Sequence, residues 1–120
     1  MIQVNVIAVA ALMRRFVPEM ISRGGGRILN VASMAGFLPG PLQATYYATK
    51  AFVVSFSEAI GNELAGTGVT VTSLCPGPVD TEFLEKANLR QAKGFARTVS
   101  ARGVALAGYD AMLKGKPIVV

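Results

Sequence analysis

Three side chains, Ser33, Tyr46 and Lys50, have types and a spacing suited to acid–base chemistry. Tyr46 and Lys50 lie one helical turn apart, so they share a face if the segment is helical. Tyrosine ionises near about pH 10, so it acts as a general acid or base near neutrality only where a neighbour favours the phenolate. The charge of Lys50 could do this, and the helix N-terminus adds the positive end of its dipole. Ser33 would then hold the reacting carbonyl or alcohol oxygen by a hydrogen bond.

The elements that would position these side chains alternate between helices and strands. Apolar residues at helical spacing predict helices over residues 3–21, 43–64 and 96–113, and more weakly over 80–93. Short apolar runs bounded by glycine or proline predict strands over residues 27–32, 69–75 and 118–120. This order predicts an α/β fold with crossover units and a parallel sheet. Ser33 would then follow the carboxyl end of a strand, where open α/β sheets bind their ligands.

The predicted sheet is too small to be complete. Three continuous apolar strands need cover on both faces, and a sheet of three leaves bare edges. The chain also opens within a helical pattern and closes within a strand pattern. We therefore expect residues 1–120 to form a single partial domain of a larger fold.

The composition is that of a folded chain, with 52% hydrophobic and 16% charged residues. The longest apolar run, residues 2–13, is interrupted by Gln3 and Asn5, is too short for a bilayer and has no basic flank. This predicts a cytoplasmic protein with no membrane segment and no signal peptide. Cys75 has no second cysteine with which to form a disulfide and no histidine with which to form a metal site, so no metal is predicted. We expect Cys75 to be a small, buried, apolar side chain.

The net charge of +5 does not by itself indicate nucleic-acid binding. No aromatic residues alternate with the cations, which argues against single-strand binding. One basic group would share a helix face: Lys86, Arg90, Lys93 and Arg97. It is interpreted either as an ordinary solvated helix face or as a positively charged surface that binds an acidic acyl-carrier protein or coenzyme A.

Three segments in succession resemble motifs of the classical short-chain dehydrogenase/reductase family. They are residues 30–36 (NVASMAG), 46–50 (YYATK) and 76–81 (PGPVDT), and both their order and their spacing match. Within the second segment, Tyr46 is favoured over Tyr47 because only Tyr46 has a lysine four residues later. The resemblance implies a Rossmann-like, doubly wound parallel sheet of which this chain supplies the second half.

The resemblance also implies a reaction, hydride transfer between NAD or NADP and a carbonyl or secondary alcohol. In reduction Tyr46 would donate the proton and Lys50 would bind the nicotinamide ribose. Asn5 would support a water in a proton relay. The residues implied to line the nicotinamide are Pro76, Gly77, Val79 and Thr81. For Gly77 there is an independent physical reason, because glycine lets the backbone approach a flat ring.

The family's phosphate-binding loop is not expected within these residues. The glycines at 24–26 precede a strand instead of following one, so the chain alone is expected to bind dinucleotide poorly and to be inactive. By the resemblance, the helices bearing Asn5 and Tyr46 would form a homodimer or homotetramer of the complete protein.

Two other functions remain open at this stage. An extended-class epimerase or dehydratase shares the Tyr-x-x-x-Lys pattern, although residues 76–81 favour the classical class. A noncatalytic interaction module is the second alternative. The substrate cannot be read from the sequence, because residues 80–102 cover the stretch that varies most in the family; a 3-oxoacyl thioester is one candidate.

Overall fold

The computed structural model describes residues 1–77, 79–80 and 99–120, with the backbone alone at residues 79, 80 and 99. A π-helical turn, Gln3–Ile7, leads into helix α1 (Ala8–Ser22), and the later helices are α2 (Ala44–Glu63) and α3 (Ala101–Leu113). A 3-10 turn spans Met34–Phe37. The strands are β1 (Gly26–Val31), β2 (Val69–Leu74), β3 (Val79–Asp80), β4 (Val99–Ser100) and β5 (Ile118–Val119).

The main sheet is parallel, as the alternation of helices and strands predicts, and its strand order is β1-β2-β5. Gly26 lies opposite Val69 at one end of the β1–β2 pair, and Val31 lies opposite Leu74 at the other. Since the pairing runs without a bulge between these ends, β1 and β2 finish level with each other. The segments that follow them therefore leave the sheet from the same edge.

Both faces of this sheet carry helices, as is usual for a parallel sheet. Val69 and Val71 pack towards α1 and α2 in a core cluster with Met13 and Leu64. On the opposite face Gly108 of α3 lies so close to Leu74 that a Cβ there would be 2.8 Å from a leucine methyl carbon. Among the described residues, no helix has both the length and the apolarity needed to cross a membrane.

The helix predicted over residues 96–113 is wrong at its start. Residues 99 and 100 belong to β4, which pairs in parallel with β3, and α3 begins only at Ala101. Ser100 caps the helix, because its Oγ accepts a hydrogen bond from the Gly103 N–H at 3.0 Å. Apolar periodicity does not reveal such a cap. Of the helix predicted over 80–93, Asp80 lies in strand β3, and the rest falls outside the described residues.

Cys75, directly after β2, is a buried free cysteine, as its favoured reading anticipates. Burial raises the pKa of its thiol, an effect opposed by hydrogen bonds from the Ser73 side chain and the Ser33 backbone. A buried thiol of raised pKa is a poor nucleophile, so Cys75 contributes packing rather than chemistry.

Candidate active site

The segments after β1 and β2 are joined to each other by backbone hydrogen bonds. The Ala32 N–H donates to the Leu74 carbonyl at 2.7 Å, and the Met34 N–H donates to the Pro76 carbonyl at 3.0 Å. These bonds continue the strand pairing by two residues beyond the sheet. Ser33 is therefore held between two anchored residues, beside the predicted nicotinamide-lining segment that begins at Pro76.

Ser33 is the N-cap of the 3-10 turn and is half-buried. Its backbone is extended, and its Oγ accepts a hydrogen bond from the Ala35 N–H at 3.0 Å. This bond fixes the side-chain rotamer. Because the bond uses the hydroxyl oxygen as the acceptor, the hydroxyl hydrogen can still be donated to a ligand oxygen.

Gly36 brings the turn that carries Ser33 against helix α2. A Cβ at this position would lie 2.8 Å from the carbonyl oxygen of Lys50 and 2.9 Å from a methyl carbon of Val54. Only glycine allows this approach, so the turn rests on the part of α2 that carries Lys50. This packing role of Gly36 was not predicted from the sequence, although a glycine three residues after Ser33 could have indicated a close approach of the backbone.

Tyr46 and Lys50 lie on one face at the start of α2, and both are half-buried. The Nζ of Lys50 lies 5.8 Å from the centroid of the Tyr46 ring. It also donates a hydrogen bond to the carbonyl of Val31, the last residue of β1, at 3.1 Å. Lys50 thus reaches from the helix to the carboxyl end of the strand that precedes Ser33. The described contacts therefore link Lys50 both to the Tyr46 ring and to the strand end two residues before Ser33.

The partial burial of Lys50 has an electrostatic cost. It lowers the pKa of the ammonium below its ordinary value of 10.5, because burial disfavours the charged form. A lysine with a lower pKa in the folded than in the unfolded state binds fewer protons when folded, throughout the pH range between the two values. Stability therefore rises with pH across that range.

We expect Lys50→Met to remove this pH-dependent component of stability. The free energy of unfolding, measured with urea from neutral pH to about pH 10.5, should rise less steeply with pH in the variant than in the native protein. Lys116→Met, at an exposed position, controls for the loss of one positive charge. Identical pH profiles for Lys50→Met and the native protein would show that burial does not penalise this ammonium.

Asn5 lies in the π-helical turn before α1 and reaches α2 directly. Its Nδ2 donates a hydrogen bond to the Oγ1 of Thr49 at 3.0 Å. Thr49 immediately precedes Lys50, so the fourth residue predicted for the site touches the helix that carries the other acid–base groups. Thr49 itself was not identified from the sequence.

The predicted nicotinamide-lining residues are partly described. Pro76 and Gly77 are half-buried. Among the described residues, a Cβ on Gly77 would have one neighbour within 4 Å, the Met34 sulfur at 3.5 Å. Val79 is described by its backbone, which pairs with Val99. Thr81 and the basic group of residues 86–97 lie outside the described residues.

Comparison with known proteins identifies the family to which the chain belongs. The short chain dehydrogenase family model matches residues 1–92. The chain belongs to the short-chain dehydrogenases. A solved short-chain dehydrogenase from Sphingobium yanoikuyae, in complex with NADPH, superposes with a TM-score of 0.86 at 25% identity, over 98% of this chain and 46% of that one. This likeness confirms the predicted Rossmann-like parallel fold.

Two curated relatives extend the comparison. D-beta-hydroxybutyrate dehydrogenase of Rhizobium meliloti is 35% identical over 116 residues, which cover 97% of this chain and 43% of the relative. The ketoacyl reductase HetN of a Nostoc species is 41% identical over 75 residues, 62% of this chain and 26% of the relative. This short-chain dehydrogenase chain therefore spans less than half the length of each of these two curated relatives.

Proposed function

We propose that the short-chain dehydrogenase containing this chain transfers a hydride between NAD or NADP and a carbonyl or secondary alcohol. The observation that carries the proposal is the position of Lys50, on the same face of α2 as Tyr46 and hydrogen-bonded to the end of β1 beside Ser33. An acid–base side chain, a cation and a hydroxyl donor at one sheet edge are the groups that reduction of a carbonyl requires.

The described residues fit a nicotinamide cofactor. In the part of the chain that the structure describes, the Cβ side of Gly77 is approached only by the Met34 sulfur, and the absence of a side chain there would let a flat ring lie against the backbone. The Lys50 ammonium has three donor hydrogens, of which the Val31 carbonyl accepts one, so it can also hold ribose hydroxyls. Pro76, and on family resemblance Val79 and Thr81, would complete this wall. When bound, the cofactor supplies or accepts the hydride.

The chain's own residues would manage the proton. In reduction the Tyr46 hydroxyl gives its proton to the substrate oxygen as the carbonyl carbon gains the hydride, and the alcohol results. Ser33 donates a hydrogen bond to that same oxygen and fixes its position. The positive charge of Lys50 favours the phenolate left behind. Asn5 supports a water through which Tyr46 recovers its proton.

A 3-oxoacyl compound is the substrate class that we would test first. One relative is named for a beta-hydroxy acid and another for a ketoacyl group. The two names describe the alcohol and ketone forms of related acyl chains. Acetoacetyl thioesters and acetoacetate are suitable probes, one with and one without the thioester that an acyl carrier or coenzyme A would provide.

The first helix supports the proposal that the complete protein forms a homodimer or homotetramer. Ile7, Leu12 and Phe16 leave 49%, 55% and 46% of their surfaces exposed. Of these, Leu12 and Phe16 lie four residues apart on one face of α1, and exposed apolar side chains on one helix face often mark a subunit interface or the contact with another part of a fold.

Cofactor binding tests the proposed function most directly. We expect the longest polypeptide encoded by the gene to bind NADH or NADPH, seen as a change in nicotinamide fluorescence, and to reduce a 3-oxoacyl probe. The 120-residue chain should bind far more weakly. If the longest polypeptide folds and binds neither cofactor, the dehydrogenase proposal is wrong, and an interaction module becomes the better explanation.

A further inference from the structure

The side chain of Met34 lies against Gly77, one of the proposed nicotinamide-lining residues. Met34 directly follows Ser33, and its N–H donates a hydrogen bond to the Pro76 carbonyl at 3.0 Å. A Cβ on Gly77 would be 3.5 Å from the Met34 sulfur, which is an ordinary van der Waals distance. A flat ring placed on this side of Gly77 would therefore also contact the sulfur, and thioethers make favourable contacts with aromatic rings.

Met34 is more accessible to solvent than the methionines that pack between the helices and the sheet. It leaves 46% of its surface exposed, whereas Met13 leaves 6%, and Met20 and Met112 are half-buried. Of the five methionines of the chain, only Met1 is more exposed, at 62%. Because an oxidant must reach the sulfur, exposed methionines are oxidised before buried ones. Met34 therefore combines an accessible thioether with a position at the proposed cofactor wall.

We propose that Met34 is a methionine oxidation site whose modification weakens binding of the nicotinamide cofactor. Hydrogen peroxide transfers one oxygen atom to the sulfur: the O–O bond breaks, an S–O bond forms, the thioether is oxidised by two electrons and the peroxide is reduced to water. The sulfoxide is bulkier than the thioether and polar, so it disfavours a flat ring against Gly77. This inference rests on the proposed function, because the oxidation affects cofactor binding only if the nicotinamide lies beside Gly77.

Two substitutions in the longest encoded polypeptide imitate the reduced and the oxidised side chain. Met34→Leu keeps an apolar side chain of similar volume and cannot be oxidised, whereas Met34→Gln places a polar group of similar length at the same point. We expect Met34→Leu to bind NADH or NADPH with a dissociation constant within about threefold of the native value. Met34→Gln should raise that constant about tenfold, because a polar group without a partner would face the ring. The exposure of Met34 makes unfolding of either variant unexpected.

Treatment of the native protein with hydrogen peroxide tests the modification itself. Peptide mass spectrometry should show the sulfoxide of Met34 forming before those of Met13, Met20 and Met112, and forming more slowly when NAD or NADP is bound. After the peroxide is removed, the dissociation constant for the reduced cofactor, measured by nicotinamide fluorescence, should have risen about as much as in Met34→Gln. Met34→Leu treated in the same way should keep its affinity, whereas the control Met20→Leu should lose affinity as the native protein does.

The outcomes distinguish this inference from the proposed function. The oxidation site would be overturned if Met34 stays reduced while Met20 or Met112 is oxidised, or if its sulfoxide leaves the affinity for the cofactor unchanged. Native affinity in Met34→Gln, or an equal loss of affinity in peroxide-treated Met34→Leu and native protein, would also overturn it. In all these cases the untreated protein still binds the cofactor, and the dehydrogenase proposal stands. If the untreated, folded protein binds neither NADH nor NADPH, the proposed function is wrong and the inference about Met34 is wrong with it.

Discussion

Tyr46→Phe should reduce the turnover of the longest encoded polypeptide by about a thousandfold or more. General acid–base catalysis typically contributes about a hundred- to ten-thousandfold, and Tyr46 is the proposed proton donor. The substitution removes one oxygen from a half-buried side chain and keeps the ring beside Lys50. The loss should appear in kcat, with the affinity for the nicotinamide cofactor, measured by fluorescence titration, nearly unchanged.

Tyr47→Phe is the matched control for this change. The Tyr47 ring meets the Tyr46 ring edge to face, with centroids 6.0 Å apart, and it lies against Gly40, where any Cβ would overlap it. These contacts are made by the ring, so phenylalanine preserves them. Turnover in Tyr47→Phe should stay close to native. Equal losses in the two variants, or a Tyr46→Phe protein that keeps a tenth of native turnover, would contradict the assignment of Tyr46.

The sequence predicted the main elements because their apolar patterns reflect burial in the final fold. The apolar residues Val69 and Val71 of β2 pack on one face of the sheet and Leu74 on the other, and the parallel order was implied by the helices between the strands. The places of Ser33, Tyr46 and Lys50 in the fold could be predicted for a similar reason. The helical turn sets the Tyr46–Lys50 spacing, and the end of β1 sets the place of Ser33.

The features that escaped prediction depend on contacts between distant segments. Thr49 is bonded to Asn5 across 44 residues, and no local pattern marks a threonine that has such a partner. The approach of Gly36 to Lys50 likewise requires both segments to be in place. The start of α3 was misplaced because a serine cap at Ser100, not apolar spacing, determines where the helix begins.

Gly68→Ala is the substitution for which we expect the largest loss of stability, about 2 to 4 kcal/mol in the free energy of unfolding. Gly68 has φ +85°, which costs an L-residue about 1 to 2 kcal/mol. A Cβ at this position would also overlap the carbonyl oxygen of Gly24 and lie 3.3 Å from the Cα of Gly25. These neighbours are backbone atoms, so no side-chain rotation can relieve the overlap.

Gly66→Ala separates the two contributions. Gly66 has the same φ of +85°, but a Cβ there would meet no other described residue within 4 Å. It should therefore cost only the conformational term, about 1 to 2 kcal/mol. Urea unfolding of both variants gives the difference, which we assign to the backbone contact. Equal losses would mean that the segments before β1 and β2 move apart at little cost.

The same contact bears on the active site through the sheet register. The Gly26 N–H donates a hydrogen bond to the Gly68 carbonyl at 3.3 Å. This bond lies at the start of the strand pairing, where Gly26 is opposite Val69. The register set there continues without a bulge to Val31 opposite Leu74, and the bonds beyond those residues hold Ser33. If Gly68→Ala shifts this register, turnover should fall even in conditions where the variant is fully folded. Native turnover in the folded variant would show that the bonds next to Ser33 are sufficient to hold the site.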